Sequence, residues 1–254
     1  IFPRVLETSG SAYEFRNVTA RIRATKFRNY MSFYDPDPSA GPESVKKEIR
    51  RMESDGFLHV FDTYADLSAY VGAKPLLNRI AFLVKRKAGG KVKVRVVTDL
   101  KASKGNEFLK IPERIVLPRL IDALEMAVYI LGGLEDDMLA GTAEHGEEGE
   151  WGTIDIRDAF LNVPVHPDER VVQCYKLDFP GETPTFATSD ALVFGAGPSP
   201  LIWGRMAAWA GRAAQGLFDF HELLLQIYVD DPLWFVRGTT TSRRRRFVVL
   251  LLFW

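Results

Sequence analysis

The sequence predicts an α+β fold built around a mostly antiparallel sheet. Residues 79–98 and 223–237 each contain two strand-like runs separated by a turn, which is typical of β-hairpins. Segments with a helical apolar stripe alternate with these strands, and the sequence contains no glycine-rich phosphate loop, internal repeat or zinc-ligand pattern. Strands and helices in this order, without such a loop, favour the α+β class.

The composition is that of a globular protein with a substantial core. Of the 254 residues, 46% are apolar and 12% aromatic, which suits one large or two small domains. Cys174 is the single cysteine, so no intramolecular disulfide forms, and no apolar run approaches the ~20 residues of a bilayer span. These features predict an intracellular protein with no membrane partner. Because residues 1–4 resemble neither a translation start nor a signal peptide, we expect the chain to come from a longer protein.

The first hairpin concentrates positive charge, although the net charge of the chain is zero. Residues 79–104 hold nine Lys or Arg and one acid, whereas residues 134–151 hold seven acids and no Lys or Arg. Side chains alternate faces along a strand, so cations at alternate positions share a face. The cations that share faces are Lys85 and Lys87 in the first strand, and Lys91, Lys93 and Arg95 in the second. A solvated polar face explains this pattern, but the shortage of acids favours contact with nucleic-acid phosphates.

The other elements of the first half are an arm and two helices. Residues 1–40 predict an extended arm, and a helix begins at Pro42 and ends at Gly56. A second helix begins at Pro118 and ends at Gly132-Gly133. Its predicted core stripe comprises Leu120, Ile121, Leu124, Val128 and Leu131. The acidic residues 135–150 that follow predict an exposed loop.

The second half predicts a strand, a long helix, a hairpin and a last helix. Residues 151–156 form a short buried strand that delivers Asp155, and the long helix begins at Ser199. The hairpin pairs residues 223–229 with residues 233–237. Its turn holds Asp230-Asp231, followed by Pro232, which lacks an N–H and removes a ladder hydrogen bond from the returning strand. Thr241-Ser242 caps the last helix, and the predicted core aromatics are Tyr175, Trp203 and Trp209.

Asp155, Asp230 and Asp231 are the candidate catalytic residues. Adjacent acids inside apolar sequence are costly to bury unless a cation compensates them, and a divalent metal is the obvious one. Nucleotidyl transfer uses two Mg²⁺ ions ~4 Å apart, held by carboxylates from different chain segments; Mn²⁺ can replace Mg²⁺. The alternative is that Asp155 ends a strand and the acidic pair occupies an ordinary turn, where acids are common.

Four motifs in order resemble those of the reverse transcriptases of retroelements. They are Arg95-Val96-Val97-Thr98-Asp99-Leu100 through Asn106, Asp155 to Phe160, Phe194-Gly195 with Ser199-Pro200, and Tyr228-Val229-Asp230-Asp231. The resemblance covers roughly residues 42–254. It implies an RNA-directed DNA polymerase with a right-hand fold, in which a palm of antiparallel sheet carries helices on one face and joins a fingers subdomain. On this reading residues 1–40 are an arm, 41–117 the fingers and 118–254 the palm, with residues 161–198 able to contribute to the fingers.

The resemblance also implies roles for individual residues. Asp155, Asp230 and Asp231, with the Ile156 carbonyl, would hold the metal ions, and Phe160 would exclude ribose from the sugar pocket. The implied nucleotide-binding residues are Arg95, Lys85, Lys87, Asp158, Ala159, Phe160 and Gly195. The implied primer and template contacts are Tyr228, Lys91, Lys93 and Ser199. For Phe160, a simple core role is the alternative.

The partners implied by the resemblance are a template–primer of RNA or DNA and a dNTP. The primer grip, the thumb and any ribonuclease H region would lie outside these 254 residues. Two other functions stay open. One is an inactive retroelement remnant that still binds nucleic acid, and the other is an RNA-dependent RNA polymerase, which Phe160 and the YxDD form of the motif disfavour.

Overall fold

The computed structural model describes residues 31–34, 42–86, 89, 92–107, 109, 115–179 and 181–254. The chain divides into two compact units. The first unit comprises Ile1–Pro112 and Phe160–Ser199, and the second comprises Glu113–Ala159 and Pro200–Trp254. Apart from residues 31–34, the predicted arm lies outside the described residues. The names fingers and palm, and their predicted boundaries, stay predictions.

The helices and strands alternate along the chain. The strands are β1 (Met31–Tyr34), β2 (Leu58–Phe61), β3 (Leu77–Arg86), β4 (Val92–Asp99), β5 (Glu148–Thr153), β6 (Cys174–Leu177), β7 (Thr185–Ser189), β8 (Leu223–Tyr228) and β9 (Asp231–Gly238). The α-helices are α1 (Pro42–Ser54), α2 (Tyr64–Tyr70), α3 (Leu120–Ala140), α4 (Ser199–Gln215) and α5 (Thr240–Phe253). Short 3₁₀ helices occupy Gly105–Glu107, Ala159–Asn162 and Pro167–Val172. The α+β class is therefore observed.

The sheet of the first unit is mixed, although most of its strand pairs are antiparallel, as predicted. Its order is β1-β3-β6-β7-β2, and β4 also pairs with β3. β1 and β6 run parallel to β3, whereas the β3–β4, β6–β7 and β2–β7 pairs are antiparallel. Parallel pairing needs a long connection between strands. Hairpin signals are local, so the sequence does not reveal pairs that lie this far apart.

Helix α1 confirms the prediction made for residues 42–56. Val45, Ile49 and Met52 are all buried, as the three-to-four residue spacing of its apolar face requires. Beyond the helix, Gly56 takes a left-handed φ of 76°, and glycine adopts this conformation without a steric penalty.

The sheet of the second unit is antiparallel, in the order β5-β9-β8, and helices cover both of its faces. Trp234 and Val236 of the central strand pack with Ala214 of α4 and Leu250 of α5. Phe235 points to the opposite face and packs with Ala127 and Ile130 of α3. The prediction of helices on one face is therefore wrong. A central strand that is apolar on both sides requires cover on both faces.

Helix α3 also differs from its prediction. It continues through Gly132-Gly133 and ends at Gly141, whose φ is 71°. The residues that it buries are the small Ala123 and Ala127 with Ile130 and Leu134. The predicted leucine-rich stripe is exposed; Leu120, for example, is 78% exposed. Small side chains let a helix approach a sheet closely, and a helix that is apolar on most faces gives no signal of which face packs.

The acidic segment 135–150 is mostly not a loop. Residues 135–140 complete α3 and residues 148–150 begin β5. Its acids are partnered by arginines: Asp137 and Glu147 pair with Arg237 of β9. Glu148 and Glu150 pair with Arg243 of α5. The predicted loop is therefore wrong for these positions, whereas their predicted exposure is confirmed for most of them.

Strand β5 begins earlier than predicted, ends before Asp155 and is largely exposed. The prediction of a buried strand over 151–156 is thus wrong, because β5 is the edge of its sheet. Helix α5 is capped by Thr239, whose side chain accepts from Ser242 N, not by the predicted Thr241-Ser242.

Two of the three predicted core aromatics are buried. Tyr175 and Trp203 are inside, whereas Trp209 is 62% exposed on the outer face of α4. Cys174 is fully buried, and burial raises the pKa of its thiol to about 12. None of the helices in the described ranges is both long and apolar enough to cross a membrane.

Candidate active site

Asp155 lies directly opposite Asp231 in the sheet of the second unit. The β5–β9 pairing ends at Thr153↔Leu233. Two backbone hydrogen bonds continue the same register beyond it, from Ile154 N to the Pro232 oxygen (3.3 Å) and from Ile156 N to the Asp230 oxygen (2.9 Å). The pair between them, Asp155 and Asp231, is therefore a non-hydrogen-bonded pair, in which side chains on one face stand ~4.5–5.5 Å apart at Cβ.

The electrostatics of Asp231 follow from this pairing. The pKa of its carboxyl is raised above the ordinary range, first by desolvation and then by the negative charges of Asp230 and Asp155. Like charges directly opposite each other across a sheet are destabilising. The three predicted acids thus form one electrostatic cluster.

The acids are not buried, which corrects the reason first given for a bound cation. Asp155 and Asp231 are exposed, and Asp230 is half-buried at the turn. Partial desolvation at Asp231 and mutual repulsion of the carboxylates, rather than full burial inside apolar sequence, are what a cation would relieve. The predicted hairpin is observed, with Val229 and Asp230 as its two turn residues between Tyr228 and Asp231.

Pro232 costs the sheet a hydrogen bond on the side of β5, not within the hairpin. Its carbonyl accepts from Ile154 N. The N–H and C=O of one strand residue point to the same side, so the missing N–H of Pro232 faces Ile154 rather than its hairpin partner Ile227. This position explains why a proline is tolerated two residues after the turn, and it places the break in regular pairing beside Asp155.

The carboxylates suit a divalent metal that takes the rest of its ligands from water and substrate. Within the described part of the chain, no group of three or more Asp, Glu, His or Cys side chains is arranged to hold a metal ion. Mg²⁺, however, is commonly bound through one or two carboxylates, with water and substrate phosphates completing the shell. The Asp155–Asp231 pair beside Asp230 supplies that donor set.

Asp158, Ala159 and Tyr228, which lie next to the acids in the sequence, differ in conformation and exposure. Asp158 has a φ of 54°, and its carboxylate accepts from Arg157 Nε at 3.2 Å. Ala159 is buried, whereas Tyr228, the predicted primer contact, is 52% exposed beside the turn. Tyr228 is therefore accessible to a large ligand.

Arg95 and Phe160, two predicted nucleotide-binding residues of the first unit, meet at the ring of Phe194. The Phe160 and Phe194 ring centroids are 4.8 Å apart, and the Arg95 guanidinium carbon lies 6.0 Å from the Phe194 centroid. Arg95 is exposed on β4, while Phe160 is buried. This geometry keeps the cation of Arg95 accessible, and it is consistent with the core role left open for Phe160.

Position 195 requires glycine because of its backbone conformation and its close contact with β4. It has a φ of 104°, and a Cβ at this position would overlap the Thr98 carbonyl oxygen. The side chain of Asn106 makes two hydrogen bonds to the same loop. Its Nδ2 donates to the Gly195 oxygen at 2.9 Å, and its Oδ1 accepts from Gly197 N at 2.9 Å. The predicted approach of Gly195 to substrate stays a prediction, whereas its approach to the β4 backbone is observed.

Only some of the remaining predicted contact residues have side chains that the structure describes. Ser199 is fully buried and donates to the Val193 oxygen at 2.9 Å, so its hydroxyl stabilises the loop before α4. Lys93 is exposed on β4, opposite Lys85 in the β3–β4 register. Lys87 and Lys91 lie outside the described residues, as does the side chain of Lys85.

Two residues were missed as functional candidates. Trp203 of α4 donates its indole N–H to the Val229 oxygen at 2.6 Å. Asn106 joins the loop of Gly195 to the segment after β4. A buried tryptophan N–H usually has a hydrogen-bond partner, but the position of Trp203 in the sequence does not reveal which carbonyl it meets.

The fold of this chain is similar to that of reverse transcriptases. One solved structure with this fold is that of a foamy viral protease-reverse transcriptase in complex with double-stranded DNA, at a TM-score of 0.54 and 17% sequence identity. The alignment covers 89% of this chain but 30% of the foamy viral chain, so this chain spans less than a third of its length. No protein family description and no curated protein matches the sequence.

Proposed function

We propose that this chain is the polymerase region of an RNA-directed DNA polymerase, which transfers dNTP units to a primer 3′-hydroxyl on an RNA or DNA template. The observation that carries the proposal is the carboxylate cluster, in which Asp155 faces Asp231 across a sheet and Asp230 occupies the adjoining turn. Desolvation and the negative charges of Asp230 and Asp155 raise the pKa of Asp231, and a carboxyl perturbed in this way is a candidate for a functional site rather than for a solvated turn. The reverse-transcriptase-like fold supports the same reaction class.

The carboxylates perform the chain's part of this reaction. Asp155, Asp230 and Asp231 supply the carboxylates that would hold the cation. When bound, Mg²⁺ lowers the pKa of the primer hydroxyl and neutralises the leaving pyrophosphate. Backbone hydrogen bonds to β9 on either side of Asp155 and a tight turn at Asp230 hold the acids, so they are fixed before substrate binds. The metal and nucleotide roles of Ile156, Arg95, Asp158, Ala159 and Gly195, and the contacts of Lys93 with a template, are part of the proposal.

Primer extension tests the proposal. The full-length protein is incubated with poly(rA), an oligo(dT) primer, dTTP and Mg²⁺, and incorporation is compared with that of Asp230→Asn. Removing a metal ligand costs several kcal/mol of transition-state stabilisation, so we expect incorporation to fall about 10²–10³-fold. Asp136→Asn is the matched control, because Asp136 is an exposed acid of the same unit on α3, and it should leave incorporation unchanged.

The outcomes separate the alternatives. Equal incorporation by wild type and Asp230→Asn contradicts the assignment of the carboxylates. Template binding without incorporation by the wild type indicates an inactive remnant, and incorporation of rNTP in preference to dNTP indicates an RNA polymerase.

Phe160→Val tests the proposed sugar selection. A smaller side chain should increase rNTP incorporation if Phe160 contacts the sugar. If Phe160 is a core residue alone, the variant should lose stability, because its ring packs on Phe194, while its choice between dNTP and rNTP stays the same.

A further inference from the structure

The turn that carries Asp230 is strained at Val229. Tyr228 and Asp231 pair in register on either side of the two turn residues. Val229 has a φ of 59°, whereas Asp230 does not have a positive φ. A positive φ at the first turn residue alone is the pattern of a type II′ turn, in which glycine is the usual residue. A β-branched residue at positive φ is a genuine outlier, so the surrounding structure must hold it there.

Two hydrogen bonds hold this turn from different elements. The Trp203 indole N–H of α4 donates to the Val229 oxygen at 2.6 Å, and Ile156 N donates to the Asp230 oxygen at 2.9 Å. Trp203 is only 7% exposed, so packing fixes its ring and the direction of its N–H. The bond to Val229 therefore comes from a rigid donor.

We propose that Trp203 is a positioning residue that holds the strained Val229 peptide and thereby sets the direction in which Asp230 is presented. The Val229 oxygen belongs to the peptide plane that leads into Asp230, and a planar peptide fixes the position of the next Cα. Without the donor, Val229 is free to relax to negative φ, which rotates this plane and changes the direction in which the Asp230 carboxylate points. The inference rests on the proposed function for its catalytic consequence, and on geometry alone for the turn.

Trp203→Phe is the decisive variant, because it keeps an aromatic ring and removes the N–H. Trp209→Phe is the matched control on the same helix, because Trp209 is 62% exposed. In primer extension by the full-length protein, we expect Trp203→Phe to lower kcat about tenfold, with the KM for dTTP unchanged. Trp209→Phe should change neither constant.

A second change tests the strain directly. Val229→Gly supplies the residue that the turn prefers, so the turn no longer depends on the Trp203 donor. The variant that combines Trp203→Phe with Val229→Gly should therefore recover most of the kcat lost by Trp203→Phe. Loss of core packing alone predicts no recovery, because glycine at 229 does not refill space around residue 203. Additive losses in this double-mutant cycle overturn the proposal.

Hydrogen exchange gives a readout that does not need activity. Amides of the peptide spanning residues 226–233 should exchange faster in Trp203→Phe than in wild type, and equally in Trp209→Phe and wild type. If the wild type incorporates no dTTP, the proposed function fails while the exchange still decides whether Trp203 holds the turn. Unchanged exchange in a folded Trp203→Phe overturns the inference. If Trp203→Phe does not fold, Val229→Gly alone decides: a higher Tm supports strain at Val229, and a lower Tm refutes it.

Discussion

Replacing Gly195 by alanine tests how tightly the loop after β7 is fitted to β4. The backbone at Gly195 has a φ of 104°, and an added Cβ would overlap the Thr98 oxygen and lie 2.9 Å from its carbonyl carbon. Thr98 cannot easily yield, because it is part of β4 and its N–H donates to the Phe194 oxygen at 2.8 Å. The added Cβ would therefore meet a backbone atom that is itself held by a hydrogen bond, and no side-chain rotation could relieve the overlap.

The magnitude follows from two separate costs. An L-residue at a left-handed φ costs ~1–2 kcal/mol. Overpacking against a fixed neighbour costs ~1–3 kcal/mol more, and a shift of the loop would also weaken the Asn106 bonds to Gly195 and Gly197. We expect a total loss of ~3–5 kcal/mol in the free energy of unfolding. At ~2–4 °C per kcal/mol for a chain of this size, Tm should fall by ~6–20 °C.

The assay is thermal unfolding of wild type, Gly195→Ala and Gly56→Ala. Gly56 belongs to the same unit and has a φ of 76°, but a Cβ there would meet nothing within 4 Å. Gly56→Ala therefore measures the backbone cost alone, ~1–2 kcal/mol. Equal losses in the two variants would refute the overlap with Thr98, and a Gly195→Ala protein as stable as wild type would refute the fit of the whole loop.

Three further outcomes are expected. Asp231→Asn should raise the free energy of unfolding at neutral pH by at most ~1 kcal/mol, since the side chain is exposed. Because the folded-state pKa of Asp231 lies above its ordinary value of 3.8, the destabilisation is full above the folded-state pKa and fades as pH falls through it; urea unfolding at pH 7 and pH ~3 should show the gain only at pH 7. Arg243→Met should cost ~1–3 kcal/mol in the same assay because it leaves the buried Gly238 carbonyl without its donor, while Arg244→Met, an exposed neighbour on α5, stays within ~0.5 kcal/mol; similar losses in the two variants would contradict the structural role of Arg243. With its pKa at about 12, the Cys174 thiol should react with a disulfide reagent at pH 8 only as fast as the protein unfolds, and rapid labelling of folded protein would contradict its burial.

The sequence was most informative where the signal is local. The hairpins and α1 were predicted because turn residues and apolar spacing act within a few residues of each other. The prediction for α3 failed beyond Gly132 because the favourable burial of Leu134 outweighs the low helix propensity of two glycines. The sequence also does not show which apolar face of α3 is buried, because the buried face carries alanines and the exposed face carries leucines.

The candidate site shows the same division. The identities of the three acids were predicted, but the register that sets Asp155 opposite Asp231 depends on pairing across some 75 positions of sequence. The bond from Trp203 to Val229 likewise joins a helix to a turn, and no spacing rule links these positions. Long-range register and the partner of a buried donor are tertiary facts, which local patterns do not contain.

The discontinuity of both units bears on the order in which the chain folds during synthesis. Strand β3 of the first unit pairs with β6, and β2 pairs with β7, so this sheet cannot close until residue 189 has left the ribosome. By then residues 113–159 of the second unit have also left the ribosome, but their sheet cannot form until β9 has been synthesised. Each unit must therefore hold an unpaired strand edge for a long part of synthesis, and a single cut between Thr153 and Phe160 would leave neither sheet with all its strands on one fragment.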